Sequence, residues 1–259
     1  MNIHPSSIVS EKAKIDPSVK IGPFCIIGDN VEIKSGTSIL SHVVLKGPTV
    51  IGKDNVIYQF STIGEDTPDK KFKGENTKLI IGDNNIFREG VTVHRGTIQD
   101  AELTQIGDNN LFMAYAHVAH DCIVGNDNVF ANNAAIAGHV IVGNSVTIGG
   151  LSTIHQFCKL GDHSFVGMNT SISMDVPAFV KVAADPARVI GLNSIGMARN
   201  EIPEESINLL KKSFKVVYKR GLKLEAAIKK LEIMHSERDD SFLLTFINSI
   251  KESSRGILR

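Results

Sequence analysis

Tryptophan is absent from the 259 residues, and tyrosine and cysteine occur only three times each. Cys25, Cys122 and Cys158 lie far apart, without the paired spacing of a disulfide framework or a thiolate zinc site, so they read as small core residues. No apolar run approaches the roughly 18 residues needed to cross a bilayer. The opening MNIHPSSIVSEKAKI lacks the basic stretch, apolar run and small-residue cleavage site of a secretory signal, so the expected compartment is the cytoplasm. Net charge is also missing: 28 basic residues balance 28 acidic ones, which gives no argument for nucleic acid or an anionic membrane. The charge is unevenly placed, however. Lys211, Lys212, Lys215, Lys219, Arg220, Lys223, Lys229 and Lys230 stand against Glu225 alone, a segment fit to face an acidic partner.

What the chain does have is a period of six. Stepping from Ile3 through Val9, Ile15, Ile21, Ile27, Ile33, Ile39, Leu45, Ile51 and Ile57 to Ile63 meets an aliphatic residue every time. The phase resumes at Ile81, Phe87 and Val93, then runs unbroken from Ile106 to Ile172. A helix repeats its apolar residues every 3.6 positions and a two-sided strand every two, so neither explains a sustained six. Short strands joined by tight turns do. Glycine often follows the aliphatic residue, as at Gly22, Gly28, Gly82, Gly107 and Gly125, and is expected to supply turn conformations that other residues resist. The fifth place of the unit is usually small or β-branched and holds all three cysteines. Stacked coils would bury a continuous column of Ile and Val, strand on strand at about 4.8 Å.

Two polar interruptions, near 65–80 and 99–105, are expected as protruding loops, where function concentrates on a rigid scaffold. The repeat stops after Pro177. From about Ile202 the pattern turns helical, with Ile207, Leu210, Phe214, Val217 and Leu222 on one face and lysines on the other, and further helices are expected near 225–235 and 240–253. The division is into 1–190 for the column and 191–259 for a small helical domain that caps its open end.

Histidine concentrates in the long second run: His117 and His120 in HVAHDC, then His139, His155 and His163. These repeats resemble those of the hexapeptide acyltransferases, whose coils use three units each; on that resemblance equivalent positions would recur every 18 residues, so His120 should lie beneath Gly138 and beside His139, with His155 and Gln156 one coil further. A single histidine at a turn is ordinary surface chemistry. A cluster of this density is not.

The repeats resemble those of the hexapeptide acyltransferases, mainly β proteins folded as a left-handed parallel β-helix; that handedness, contrary to the usual crossover rule, rests on the resemblance. The fuller set GPFCIIG, IYQFSTIGE, VTVHRGT, HVAHDCIVGN, ANNAAIAGHV, IHQFCKLG and the terminal SRGILR is similar to one subfamily, the UDP-N-acetylglucosamine O-acyltransferases that begin lipid A synthesis, over essentially the whole chain. The resemblance implies transfer of a 3-hydroxyacyl chain from acyl carrier protein to the glucosamine 3-hydroxyl of UDP-N-acetylglucosamine by a homotrimer with sites between neighbouring columns and no metal or other cofactor. His120 would be the general base, suited by an unperturbed imidazole pKa of about 6.5. Asp121 would orient it and the Gly138 N–H would bind the oxyanion. His117, His139, Asp69 and Lys71 would hold the sugar and pyrophosphate, and His155 and Gln156 the nucleotide or acyl chain. The basic C-terminal segment would dock the acidic carrier protein.

Two departures from the family pattern stand out. Asn193 and Arg199 match nucleotide-binding positions, but Ile195 and Asn200 replace a glutamate and an arginine, which would remove a ribose and a phosphate contact. Met168 replaces the glycine of some members at a place that measures acyl length, so a shorter chain is expected. Other readings are a 3-amino sugar acceptor, the related N-acyltransferase, a non-catalytic solenoid, and a γ-class carbonic anhydrase with histidine-bound zinc.

Overall fold

The computed structural model describes residues 2–259. Strands of two to five residues line up as three sheets of eleven, nine and eight strands, parallel throughout except for the last strand of the first, which form the faces of a prism. The prism winds left-handed. Each strand pairs with its equivalent one coil away: Ile21 with Ile39, Val118 with Ile136, Val124 with Val142. Register survives both insertions, since Ile57 pairs with Phe87 and Phe87 with Phe112. The period-six residues therefore meet along the axis and are buried, with Phe87, Phe112 and Phe130 stacked at centroid distances of 4.9 and 4.6 Å. All three cysteines are buried and unpaired.

The turn glycines do something other than expected. Of those that follow the aliphatic residue, only Gly64 has positive φ. At the others a side chain would meet the next coil: a Cβ on Gly107 would sit 2.8 Å from the Gly125 carbonyl oxygen, and one on Gly125 2.6 Å from that of Gly143. Coils stacked at strand spacing leave no room there. The left-handed corner positions are filled mainly by other residues, among them Asn30, Asn84, Asn109, Asp121, Asn133 and His139. Asn and Asp tolerate this region better than most side chains.

Past Ile172 the first sheet is completed by Val180–Ala183 and, antiparallel to it, Arg188–Leu192. Four helices follow: α1 Ser194–Arg199, α2 Glu204–Tyr218, α3 Leu224–Ser236 and α4 Ser241–Lys251. The six-residue α1 was not anticipated. It is too short to show periodicity, although Asn193 caps it by accepting from the Gly196 N–H. Asp175 ties the terminal tail to the prism, its buried carboxylate accepting from the Lys159 N–H and the Ser253 hydroxyl, both at 2.7 Å. All eight basic side chains of 211–230 are exposed. Among the described residues no helix is long and apolar enough to cross a membrane.

Candidate active site

The corner between the second and third sheets repeats every 18 residues, and there Asp121, His139 and Phe157 all take left-handed backbone. The repeat stacks their side chains along the axis. His139 lies flat on Phe157 at 4.4 Å and edge-on to His120 at 5.1 Å. His120 Nδ1 is 2.8 Å from the Asp121 carboxylate. That carboxylate is buried and also accepts the Thr97 N–H at 2.8 Å and the Thr97 hydroxyl at 2.6 Å, while the Asp121 N–H donates to the Thr104 hydroxyl. Burial alone would push its pKa up. The bonds from His120 and Thr97 and the nearby His139 outweigh this and hold it below the usual carboxylate value. An ionised Asp121 accepts the Nδ1 proton and so leaves His120 Nε2 as the ring's lone-pair atom.

Gly138 makes the space for this imidazole. A Cβ there would lie 2.5 Å from His120 Cε1 and 2.7 Å from Nε2. Among the described residues no backbone acceptor takes the Gly138 N–H, so it is free to donate to a ligand. The corner thus sets a proton acceptor against a hydrogen-bond donor.

An open groove of about 470 Å³ runs beside this corner, lined by Asp69, His94, His117, His120, Gly138 and Gln156 among others. Asp69 reaches it from the first insertion, where its carboxylate accepts the Lys71 N–H. His117 bonds the Thr92 hydroxyl at 2.7 Å and meets His94 edge-on at 5.0 Å. Burial, helped by the neighbouring histidines, lowers the His94 pKa to about 4 and lowers that of His117. Both rings are neutral near pH 7 and offer hydrogen bonds rather than charge.

The structure therefore gathers His117, His120, Asp121, Gly138, His139, Asp69 and Gln156 in one region of the chain. Lys71 is exposed on the insertion, and His155 is exposed with Nδ1 turned to the Gln156 carbonyl. Asn193 and Arg199 are elsewhere, lining a second groove of about 550 Å³ with Lys181, Ile195 and Asn200. Both polar ends of the Asn193 amide serve the chain itself, one as the α1 cap and one donating to the His163 carbonyl. The Asn200 amide is likewise engaged by its own chain, bonding the Ser145 hydroxyl and the Gly196 carbonyl. Met168 is 72% exposed at the corner between the first and second sheets.

Sequence reasoning passed over Thr97, Thr104 and Asp100. Asp100 accepts from His139 Nδ1 at 2.8 Å from within the second insertion. Thr97 belongs to the recognised VTVHRGT, but its contact with a residue 24 positions later depends on how that insertion folds.

The profile of the family described as UDP-N-acetylglucosamine O-acyltransferase, domain 2, matches residues 175–258, and that of the bacterial transferase hexapeptide matches 6–41 and 103–138. The chain is 53% identical over 257 residues to the acyl-[acyl-carrier-protein]–UDP-N-acetylglucosamine O-acyltransferase of Saccharophagus degradans, covering 99% of each. It is 50% identical to the enzyme of that name from Stutzerimonas stutzeri, again over 99% of each. The crystal structure of UDP-N-acetylglucosamine O-acyltransferase from Moraxella catarrhalis superposes with a TM-score of 0.97 at 44% identity, covering 100% of both chains.

Proposed function

The chain belongs to the UDP-N-acetylglucosamine O-acyltransferase family, and we propose that its His120–Asp121 pair catalyses the family's transfer: a 3-hydroxyacyl chain passes from the thioester of acyl carrier protein to the glucosamine 3-hydroxyl of UDP-N-acetylglucosamine, the first step of lipid A biosynthesis. The full-length matches favour this over an amine acceptor or a zinc hydratase.

His120 Nε2 takes the 3-hydroxyl proton as the sugar oxygen attacks the thioester carbonyl. The imidazolium so formed is stabilised by Asp121. The tetrahedral oxyanion receives the Gly138 N–H, which needs no reorganisation because it has no backbone partner to give up. Collapse expels the carrier thiol, to which the imidazolium returns the proton. Asp69, His117 and Gln156, which line the groove, position the acceptor and acyl chain, with His117 acting as a neutral hydrogen-bonding group; His139 beside His120 and the exposed Lys71 and His155 complete the set. The observation that carries the reading is the 2.8 Å contact between His120 Nδ1 and a carboxylate held ionised by Thr97.

Asn193, Arg199 and Met168 lie away from this corner within one chain. This supports a homotrimer in which a neighbouring column supplies the nucleotide contacts and the acyl stop. The exposed basic segment of α2 and α3 fits the acidic carrier protein, and the cytoplasm is where that donor and the nucleotide sugar meet.

Transfer of labelled 3-hydroxyacyl chains from carrier protein to UDP-N-acetylglucosamine tests the reading. Wild type is expected to transfer, and His120→Ala to lose about 10²–10⁴-fold in kcat with unchanged circular dichroism. An inactive wild type, or an unimpaired variant, overturns it.

A further inference from the structure

His120, Asp121 and His139 each place one ligating atom so that all three lie within 4.8 Å of one another. The Asp121 carboxylate oxygen is 2.8 Å from His120 Nδ1 and 3.9 Å from His139 Nε2. Donors on a tetrahedral zinc ion with bonds of about 2.0–2.2 Å are ~3.3 Å apart, a value between these two spacings and inside the 4.8 Å that bounds all three pairs.

A further carboxylate supports the same set. Asp100 accepts the Nδ1 proton of His139 at 2.8 Å, which fixes that ring as the tautomer whose Nε2 lone pair faces Asp121. A carboxylate behind a histidine is the arrangement that orients imidazole for a metal and raises its basicity. Acyl transfer as derived above makes no use of Asp100. Of the three ligands, His120 itself lines the open groove.

We propose that this corner is an inhibitory site for a divalent ion of the zinc type, bound by His120 Nδ1, Asp121 and His139 Nε2. Inhibition follows from the proton count on one ring. In the working enzyme the His120 proton is on Nδ1 and the lone pair on Nε2. A metal on Nδ1 requires that nitrogen's lone pair, so the neutral ring carries its single proton on Nε2 instead. Nε2 can then no longer accept the proton of the sugar hydroxyl. No charge is lost from the ring and no group leaves. The base is disabled by a change of tautomer, while the acceptor groove stays open. The ion is an inhibitor here, not a cofactor, and the metal-free protein is the fully active form.

The inference rests on the reading of His120 as base, but metal binding is measurable without any acyl transfer. The full-length protein is treated with chelator and titrated with Co²⁺, following visible absorption, and separately assayed with Zn²⁺ at varied UDP-N-acetylglucosamine. Expected are one Co²⁺ per chain with the intense bands of a four-coordinate site, and Zn²⁺ inhibition that lowers kcat more than it raises KM and is reversed by EDTA. Asp100→Asn should weaken Co²⁺ binding about 10–100-fold, and His139→Ala should abolish it. Absence of Co²⁺ binding, or binding unchanged in His139→Ala, overturns the site. Metal-free protein that transfers acyl groups yet binds no Co²⁺ refutes this inference alone; a protein that transfers acyl groups only with metal bound refutes the inhibitory role, and one that transfers none with or without metal refutes the assigned reaction.

Discussion

The Thr97 hydroxyl donates to the Asp121 carboxylate at 2.6 Å, and the Thr97 N–H donates to its other oxygen at 2.8 Å. Two donors from one residue fix the plane of the carboxylate that orients His120. Thr97→Val keeps shape and N–H but removes the hydroxyl, leaving a buried anion one bond short. A cost of about 1.5–3 kcal/mol is expected for a hydrogen bond to a charged group, measured by urea denaturation, together with a fall in kcat. Thr97→Ser should recover most of both. A Val variant as stable and active as wild type would remove Thr97 from the site.

Gly138→Ala places a methyl group where the His120 ring now lies, 2.5 Å from Cε1. A displaced imidazole loses its line to the substrate hydroxyl, and a 1 Å misplacement costs about 10²-fold. The strand to which Gly138 leads is unaffected, so the melting temperature should move little while kcat collapses. Equal losses in stability and rate would mark a packing role only.

Stability should depend on pH through the groove histidines. The folded His94 pKa is about 4 against 6.5 for the unmodified side chain. Between those values the unfolded chain binds the extra proton, so stability falls as pH drops from about 6.5 towards 4, by at most about 1.4 kcal/mol per pH unit for one group. The lowered His117 adds in the same direction. Asp121, also lowered, acts in a different window: its contribution is complete above the unfolded carboxylate value near 4 and is lost only below it. Urea midpoints at pH 7, 6 and 5 should therefore decline in wild type and decline less steeply in His94→Gln. Parallel curves would refute the assignment.

Met168 is 72% exposed in the single chain, and its proposed role as acyl stop calls on a second column. Met168→Gly should move the preferred donor to a longer acyl chain, read as the ratio of kcat/KM between two chain lengths, with at least a tenfold shift expected from two or more extra buried methylenes at about 0.8 kcal/mol each. An unchanged ratio would take the ruler elsewhere.

Much of this molecule is one-dimensional, and that part was legible in the residues. Each coil contacts only its neighbours, so the six-residue period by itself determined the buried Ile and Val column and the slots of the three cysteines, while the three-sided coil followed from the family its motifs resemble. The 18-residue coil likewise placed His120 beneath Gly138 and beside His139, because the offset is arithmetic. The turn glycines show the limit of that arithmetic: their reason is the next coil's backbone rather than their own φ, a contact a linear pattern does not display. Only the tertiary structure decided what the two insertions do. They leave the period and fold back by side-chain hydrogen bonds, bringing Asp69 to the groove, Thr97 to Asp121 and Asp100 to His139. It also decided which polar groups are already committed: Asn193 and Asn200 are turned to their own chain, and His94 and His117 are kept neutral by burial. Composition and spacing determine a repeating backbone because its contacts are local and periodic; protonation and pairing depend on what lies across space, which only the folded chain supplies.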